Sequence, residues 1–246
     1  MKDILTDTLL KEGLLKLGLE TEGRPFSLLV KYIEEIELFN PSYGLVKVKD
    51  REELIVKHIL DSLSPIGIFQ GTAGAGSFSG LQGKPAVWQI ADVGSGAGLP
   101  GIPLAIFMPH AEFTLIERMG RRAGFLRDVQ ALLGLSNLKV EETEMEKLSK
   151  NRPAQNKDCP GRFNIIVFRA FKPLTPAILK SLFALLAPGG TLAAYKGRRE
   201  SIEEEMAQVS RSVEKPEGSS FCSYEILPLE VPFLEEERHL VLIRPE

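Results

Sequence analysis

Residues 91–101 read Ala-Asp-Val-Gly-Ser-Gly-Ala-Gly-Leu-Pro-Gly. The stretch follows an apolar run at 87–90 that suits a buried parallel strand, and it precedes residues 102–108, which suit a helix. Strand, glycine-dense turn and helix in that order make the first crossover of an α/β sheet. Gly94, Gly96 and Gly98 lack the Cβ that would hold a ligand off the backbone, and they accept positive φ where the chain turns. Pro100 stands where a first helical residue would lie, its missing N–H costing nothing there. The free amides of such a helix start attract anionic or electron-rich groups.

Toward the C-terminus strands and helices alternate. Strands are expected at 112–117, 138–141, 164–168 and 191–195, with helices at 118–133, 175–186 and 200–213; Pro188, Gly189 and Gly190 close the second of these helices. Alternation at this spacing means βαβ units, right-handed crossovers and helices on both faces of a parallel sheet. Two last strands, 223–229 and 238–243, are joined without a helix and should pair antiparallel. The expected fold is therefore α/β, a mostly parallel seven-stranded sheet ending in an antiparallel strand.

Toward the N-terminus, residues 1–65 read as a helical cap packed on that sheet. Ile4, Leu5, Leu9, Leu10, Leu14, Leu15 and Leu17 recur at near-helical spacing up to Gly18. A second helix follows Pro25, with Leu28, Leu29, Tyr32, Ile33, Ile36 and Phe39 on one side. A third starts at Asp50, whose carboxylate can cap it while Glu53 reaches back. Residues 66–86, rich in glycine and serine, read as a flexible surface loop, and 151–162 as a second loop. The domain proper is then 87–246.

Composition narrows the classes. A chain of 246 residues with 43% hydrophobic and 26% charged residues can bury a sizeable core, and a net charge of −3 argues against a protein that coats nucleic acid non-specifically. Cys159 and Cys222 are too isolated for a disulfide framework or a zinc site, so no metal is expected and a cytoplasmic setting is. No apolar run reaches the roughly 18 residues of a membrane span, and no signal-peptide layout opens the chain.

Side chains just beyond the strands are the ones to weigh for chemistry. Glu117 can accept hydrogen bonds from both hydroxyls of a ribose, or act on the dipole of the helix that follows. Met145 and Glu146 can offer an apolar face and a carboxylate to an adenine, or simply start a helix. Arg169 follows the fourth strand, and a buried arginine there needs a carboxylate or ligand partner. His58 shares a helix face with Leu54 and Asp61, where a structural histidine and a substrate contact are equally compatible; His110 reads as exposed. Basic residues cluster at Lys47, Lys49, Arg51 and Lys57, at Arg118, Arg121 and Arg122, and at Lys196, Arg198 and Arg199. Phosphate contacts or ordinary solvated charge explain them alike.

Gly96, Gly98 and Gly101 satisfy the bare Gly-x-Gly-x-x-Gly of dinucleotide sites, yet Gly94 follows the strand directly with Asp92 just before it. Asp-x-Gly-x-Gly-x-Gly resembles the first motif of class I methyltransferases that use S-adenosylmethionine; a dinucleotide site and a purely structural turn are the alternatives. With Leu-Pro-Gly-Ile-Pro at 99–103, His-Ile-Leu-Asp-Ser at 58–62, Arg-Ala-Phe at 169–171, Lys-Gly at 196–197 and Arg-His-Leu at 238–240, the chain resembles the small-subunit (16S) ribosomal RNA guanine-N7 methyltransferases, also called glucose-inhibited division protein B. The resemblance implies a Rossmann-like class I fold, S-adenosyl-L-methionine lined by Gly94, Gly96, Leu99, Met145, Glu146 and Arg169, and its ribose on Glu117. It implies RNA contacts by Asn40, His58, Lys196, Arg198 and Arg238, with 16S ribosomal RNA or a small-subunit particle as partner and a monomeric enzyme. No acid or base is assigned; Arg169 stands beside the transferred methyl. Two local departures are Gly44-Leu45-Val46 where the family commonly has Asn-Leu-Thr, and Phe168 in place of a small residue. Phe168 is expected to narrow the transfer channel or stack on the base. An NAD-type oxidoreductase and a non-catalytic RNA-binding module are the rival functions.

Overall fold

The computed structural model describes residues 2–71, 86–151, 163–211 and 221–246. Most of the expected loop at 66–86, and nearly all of that at 151–162, lie outside these residues. Seven described strands form one sheet: β1 (Trp88–Val93), β2 (Ala111–Glu117), β3 (Leu138–Glu142), β4 (Phe163–Arg169), β5 (Leu186–Lys196), β6 (Cys222–Leu229) and β7 (Arg238–Pro245). Their spatial order is β3-β2-β1-β4-β5-β7-β6. All pairings up to β5 are parallel, and β7 runs antiparallel between β5 and β6.

The period of two along each strand sorts side chains onto two faces. Ile90, Phe113, Leu115, Ile165, Val167, Leu240 and Leu242 pack into one apolar cluster, and Ala91, Ile116, Ile166, Phe168, Val241 and Ile243 into the other. Helices α6 (Gly101–Phe107) and α7 (Gly120–Leu133) cover the first face, while α9 (Pro176–Phe183) and α10 (Arg199–Arg211) cover the second, with α8 (Met145–Asn151) opening beside β3. Burial on both faces explains why the central strands read as apolar runs and not as alternating polar and apolar residues.

Helices α1 (Lys2–Lys16) and α2 (Gly23–Tyr43) share the first cluster through Leu10, Leu14, Leu29, Ile33 and Ile36. Two buried tyrosines also fasten the N-terminal helices to the sheet: the Tyr32 hydroxyl donates to the Ala97 carbonyl at 2.8 Å, and the Tyr195 hydroxyl to the Ser62 carbonyl at 2.9 Å. The third helical run is α3 (Arg51–Leu54), a π-helical segment (Ile55–Leu60) and α4 (Asp61–Leu63) in succession. It is capped as expected, Asp50 accepting the Glu53 N–H at 2.8 Å, while Glu53 reaches back to the Lys49 N–H at 2.8 Å. π turns are rare and concentrate at functional sites; this one carries His58 and delivers Asp61.

Several boundaries differ from expectation. The loop expected from residue 66 starts instead with a helix, α5 (Ile66–Gln70), because Ile66, Ile68 and Phe69 find apolar neighbours to bury against. Pro188, Gly189 and Gly190 lie within β5, where pairing with β4 shifts register between Phe163 and Ile165; α9 stops earlier, at Phe183. Pro100 is the N-cap of α6 and not its first residue. Leu15 faces solvent, so the apolar stripe of α1 is narrower than its leucines suggest.

Candidate functional site

Among the described residues, cavities open along the carboxyl edge of the sheet, and two of them adjoin. The first, of about 380 Å³, lies beyond β1, β2 and β3. Gly94 forms part of its wall with φ at +72°, and a Cβ there would stand 3.1 Å from the Phe171 ring. Glu117, Met145 and Glu146 line the same space. The Glu117 side chain is fixed by backbone donors: Gly96 N–H at 2.9 Å on one oxygen and Met119 N–H at 2.8 Å on the other. Each oxygen keeps a further lone pair. Glu146, paired with Lys172 at 3.2 Å, is held below the usual carboxylate range first by its own backbone N–H.

Asp92 works beneath the turn. Its Oδ2 accepts the Gly101 N–H at 2.9 Å, satisfying one of the orphan donors at the start of α6. Burial lifts its carboxyl to about 7, against the opposing pull of that N–H and of Arg169.

The second cavity, of about 580 Å³, lies beyond β4 and β5 and the start of β7, closed on its far side by the π-helical segment and α4. Arg169 is its organising cation. Nη1 donates to Asp61 Oδ2 at 2.8 Å and to the Lys57 carbonyl at 3.1 Å, and Nη2 meets His58 Nδ1 at 2.8 Å. Because arginine only donates, Nδ1 accepts and the imidazole is neutral. Burial first, then the Arg169 charge, push His58 down to about 4. Asp61 also faces Arg238, its Oδ1 lying 3.4 Å from Nε, and Arg238 pairs with Glu236 at 3.0 Å. Lys57 bridges Glu53 and Glu236 at 3.2 Å each, and Lys196 pairs with Glu205 at 2.7 Å.

Ala170 and Phe171 line both cavities. Ala170 holds φ at +48°, a left-handed conformation that costs a non-glycine residue of the order of 1 kcal/mol. Such strain persists only where neighbours over-determine it, and this is the partition between the two spaces.

The structure thus gathers Gly94, Glu117, Met145 and Glu146 at one cavity and His58, Arg169, Lys196 and Arg238 at the other. Gly96 does not line the first cavity; its contribution is the N–H given to Glu117. Leu99 is 5% exposed and packs in the core beneath the turn, away from that lining. Asn40 lines neither cavity: its carbonyl accepts the Gly44 N–H and its side chain the Val46 N–H, both at 2.9 Å, closing α2 with Gly44 in the left-handed conformation. Arg198 lines an adjoining recess with Ser201 and Glu237. Phe168 is 1% exposed, its ring 5.6 Å from that of Phe171, so it narrows the second cavity at its wall while presenting little surface to it. Arg169 finds the expected carboxylate partner in the cap, at Asp61.

Asp61, Tyr195 and Phe171 were not singled out by the sequence as parts of a site. Asp61 carried a signal, an acid one helical turn from His58 on an otherwise apolar face. Among the described residues no group of histidine, cysteine, aspartate and glutamate could hold a metal, and no helix is long and apolar enough to cross a membrane.

Residues 26–227 match the family model described as rRNA small subunit methyltransferase G. A protein of Treponema denticola named ribosomal RNA small subunit methyltransferase G is 38% identical over 98% of this chain and 96% of its own. One of the same name from Nitrosococcus oceani is 35% identical over 99% and 97%. Among solved structures, an O-methyltransferase from Bacillus cereus in complex with SAH aligns with a TM-score of 0.55 at 16% identity, over 88% of this chain and 91% of that one, a likeness of fold. A turn that begins at Asp92 and Gly94, a Glu117 beyond the second strand and a match of this extent lead to one conclusion: the chain belongs to the rRNA small subunit methyltransferase G family.

Proposed function

We propose that the protein transfers the methyl group of S-adenosylmethionine to N7 of a guanine in 16S ribosomal RNA. The observation that carries this reading is the pair of cavities meeting at Ala170 and Phe171, one lined by Gly94, Glu117 and Met145 and the other by Lys57, Arg169, Lys196 and Arg238. The first fits the cofactor on its donor set. Glu117 has lone pairs left for ribose hydroxyls, Met145 and Phe171 give apolar surface, and Gly94 lets a ligand approach the backbone once the Phe171 ring yields. When bound, the cofactor supplies an electrophilic methyl on a sulfonium.

The chain's own residues then have little proton chemistry to do. Guanine N7 keeps an in-plane lone pair at neutral pH, so the N–C bond forms as the C–S bond breaks, and the positive charge passes from sulfur to the base. No proton moves. This suits a cleft whose histidine is pushed down to about 4 and whose Nδ1 is taken by Arg169. Positioning and water exclusion carry the rate. Lys57, Lys196 and Arg238 line the second cavity and would exchange their carboxylate partners for phosphates, and Arg198 would extend the basic edge. In this reading the protein acts as a monomer in the cytoplasm, on RNA or on a small-subunit particle.

Labelled-methyl transfer to purified small-subunit RNA and to small-subunit particles, followed by nucleoside digestion, tests the proposal. Label in 7-methylguanosine is expected. Label in another nucleoside, or none with either substrate, overturns it.

A further inference from the structure

Three carboxylates line the larger cleft: Glu53, Asp61 and Glu236. Glu53 and Glu236 are both engaged by Lys57, and Glu236 also by Arg238. Asp61 differs. It is 3% exposed, and Arg169 fixes its Oδ2 at 2.8 Å. Its Oδ1 accepts no hydrogen bond among the described residues, the nearest cation being Arg238 Nε at 3.4 Å. A fixed, desolvated acceptor without a donor is expensive unless something supplies one.

Guanine carries donors that match. N7 lies on one edge of the bicycle, while N1–H and the 2-amino group lie on the opposite edge. With N7 turned to the boundary formed by Ala170 and Phe171, the donor edge faces away from the cofactor cavity. Asp61 lines the cleft but not the cofactor cavity, and it projects from the cap. Two parallel N–H···O bonds are the geometry by which a carboxylate binds such an edge. Adenine would turn the N1 lone pair toward the same oxygens and be repelled.

Resting on the guanine-N7 reading above, we infer that Asp61 is the guanine-selecting residue: Oδ1 accepts the 2-amino group, and Oδ2, keeping Arg169, shares its remaining lone pair with N1–H. Arg238 is then released toward the RNA backbone, where a phosphate replaces the long contact it makes with Asp61. A site that hydrogen-bonds a substrate N–H rejects analogues lacking it, because its own buried group is left unpaired.

The test uses small-subunit RNA ligated from two pieces with guanosine or inosine at the methylated position; inosine keeps N7 and N1–H and lacks only the 2-amino group. The wild-type protein should methylate the inosine RNA with kcat/KM lower by about tenfold or more. Asp61→Asn should lose activity on the guanosine RNA and bring the inosine-to-guanosine ratio close to one, while calorimetry with S-adenosylhomocysteine shows the cofactor cavity intact. Equal use of both RNAs by the wild type overturns the inference, as does an unchanged ratio in Asp61→Asn. Should that variant fail to bind the cofactor, the wild-type ratio alone decides. No methylation of guanosine RNA by the wild type would instead sink the functional reading, and this one with it.

Discussion

Arg169 and Asp61 stand 2.8 Å apart with 14% and 5% of their side chains exposed, so neither charge can be removed without stranding the other. An arginine that served only a ligand could be replaced by alanine with the fold intact. Paired as it is, the substitution should cost about 3 kcal/mol in urea unfolding as well as activity. Arg169→Ala combined with Asp61→Asn should recover much of that stability without recovering turnover; a double variant as unstable as the single one would show that the pair is not the source. Gly101 makes a second residue-level case, and a purely steric one. A Cβ there would fall 2.8 Å from Asp92 Oδ2 and collide with the fully buried Leu115. Gly101→Ala should therefore destabilise by roughly 2 kcal/mol or more, read as a fall in the unfolding midpoint. It should also disturb the N–H that Asp92 accepts. No measurable change would mean that the turn and α6 shift freely.

At the scale of elements, the N-terminal helices are held to the sheet by apolar burial plus the two tyrosine hydroxyls on Ala97 and Ser62. Burial raises both phenols well above their ordinary value, so they remain donors at any working pH. Tyr195→Phe leaves the Ser62 carbonyl without that partner and should cost about 1 kcal/mol, with a higher KM for RNA and unchanged cofactor affinity. Tyr32→Phe should cost a similar amount but weaken the cofactor, because Ala97 belongs to the glycine turn. The same effect of both variants on both ligands would refute this division. These contacts also mark what was legible in the sequence. Strand and helix periods, the cap at Asp50 and the turn at Asp92–Gly94 are local patterns, and the sheet followed from them. The partnership of Arg169 with Asp61, and of each tyrosine with a distant carbonyl, joins residues far apart in the chain, and spacing carries no trace of it. Leu99 and Asn40 lie outside both cavities for the converse reason: each sits next to a motif in sequence, yet one turns into the core and the other closes a helix.

For the molecule as a whole, two buried groups around Arg169 set opposing dependences of stability on pH. His58 falls from 6.5 to about 4 on folding, so between those values the unfolded chain binds the proton and stability drops as the solution is acidified. Asp92 rises from 3.8 to about 7, so over nearly the same range the folded chain holds the proton and stability grows as the solution is acidified. Each slope approaches about 1.4 kcal/mol per pH unit at most, and the two nearly cancel from pH 5 to 6.5. The carboxylates Glu53, Glu146 and Glu236 are all held below their ordinary 4.5, so their contribution is lost at lower pH still. Unfolding free energy of the ligand-free wild type should accordingly vary little with pH in this window from these two sites. Against that baseline, Asp92→Asn should lose stability as pH falls from 6.5 to 5, the His58 slope standing alone, and His58→Gln should gain stability over the same interval. Parallel profiles for the wild type and both variants would mean that neither group is held away from its ordinary ionisation. Opposite slopes would locate a balance of charge at Arg169, beneath the partition between the two cavities.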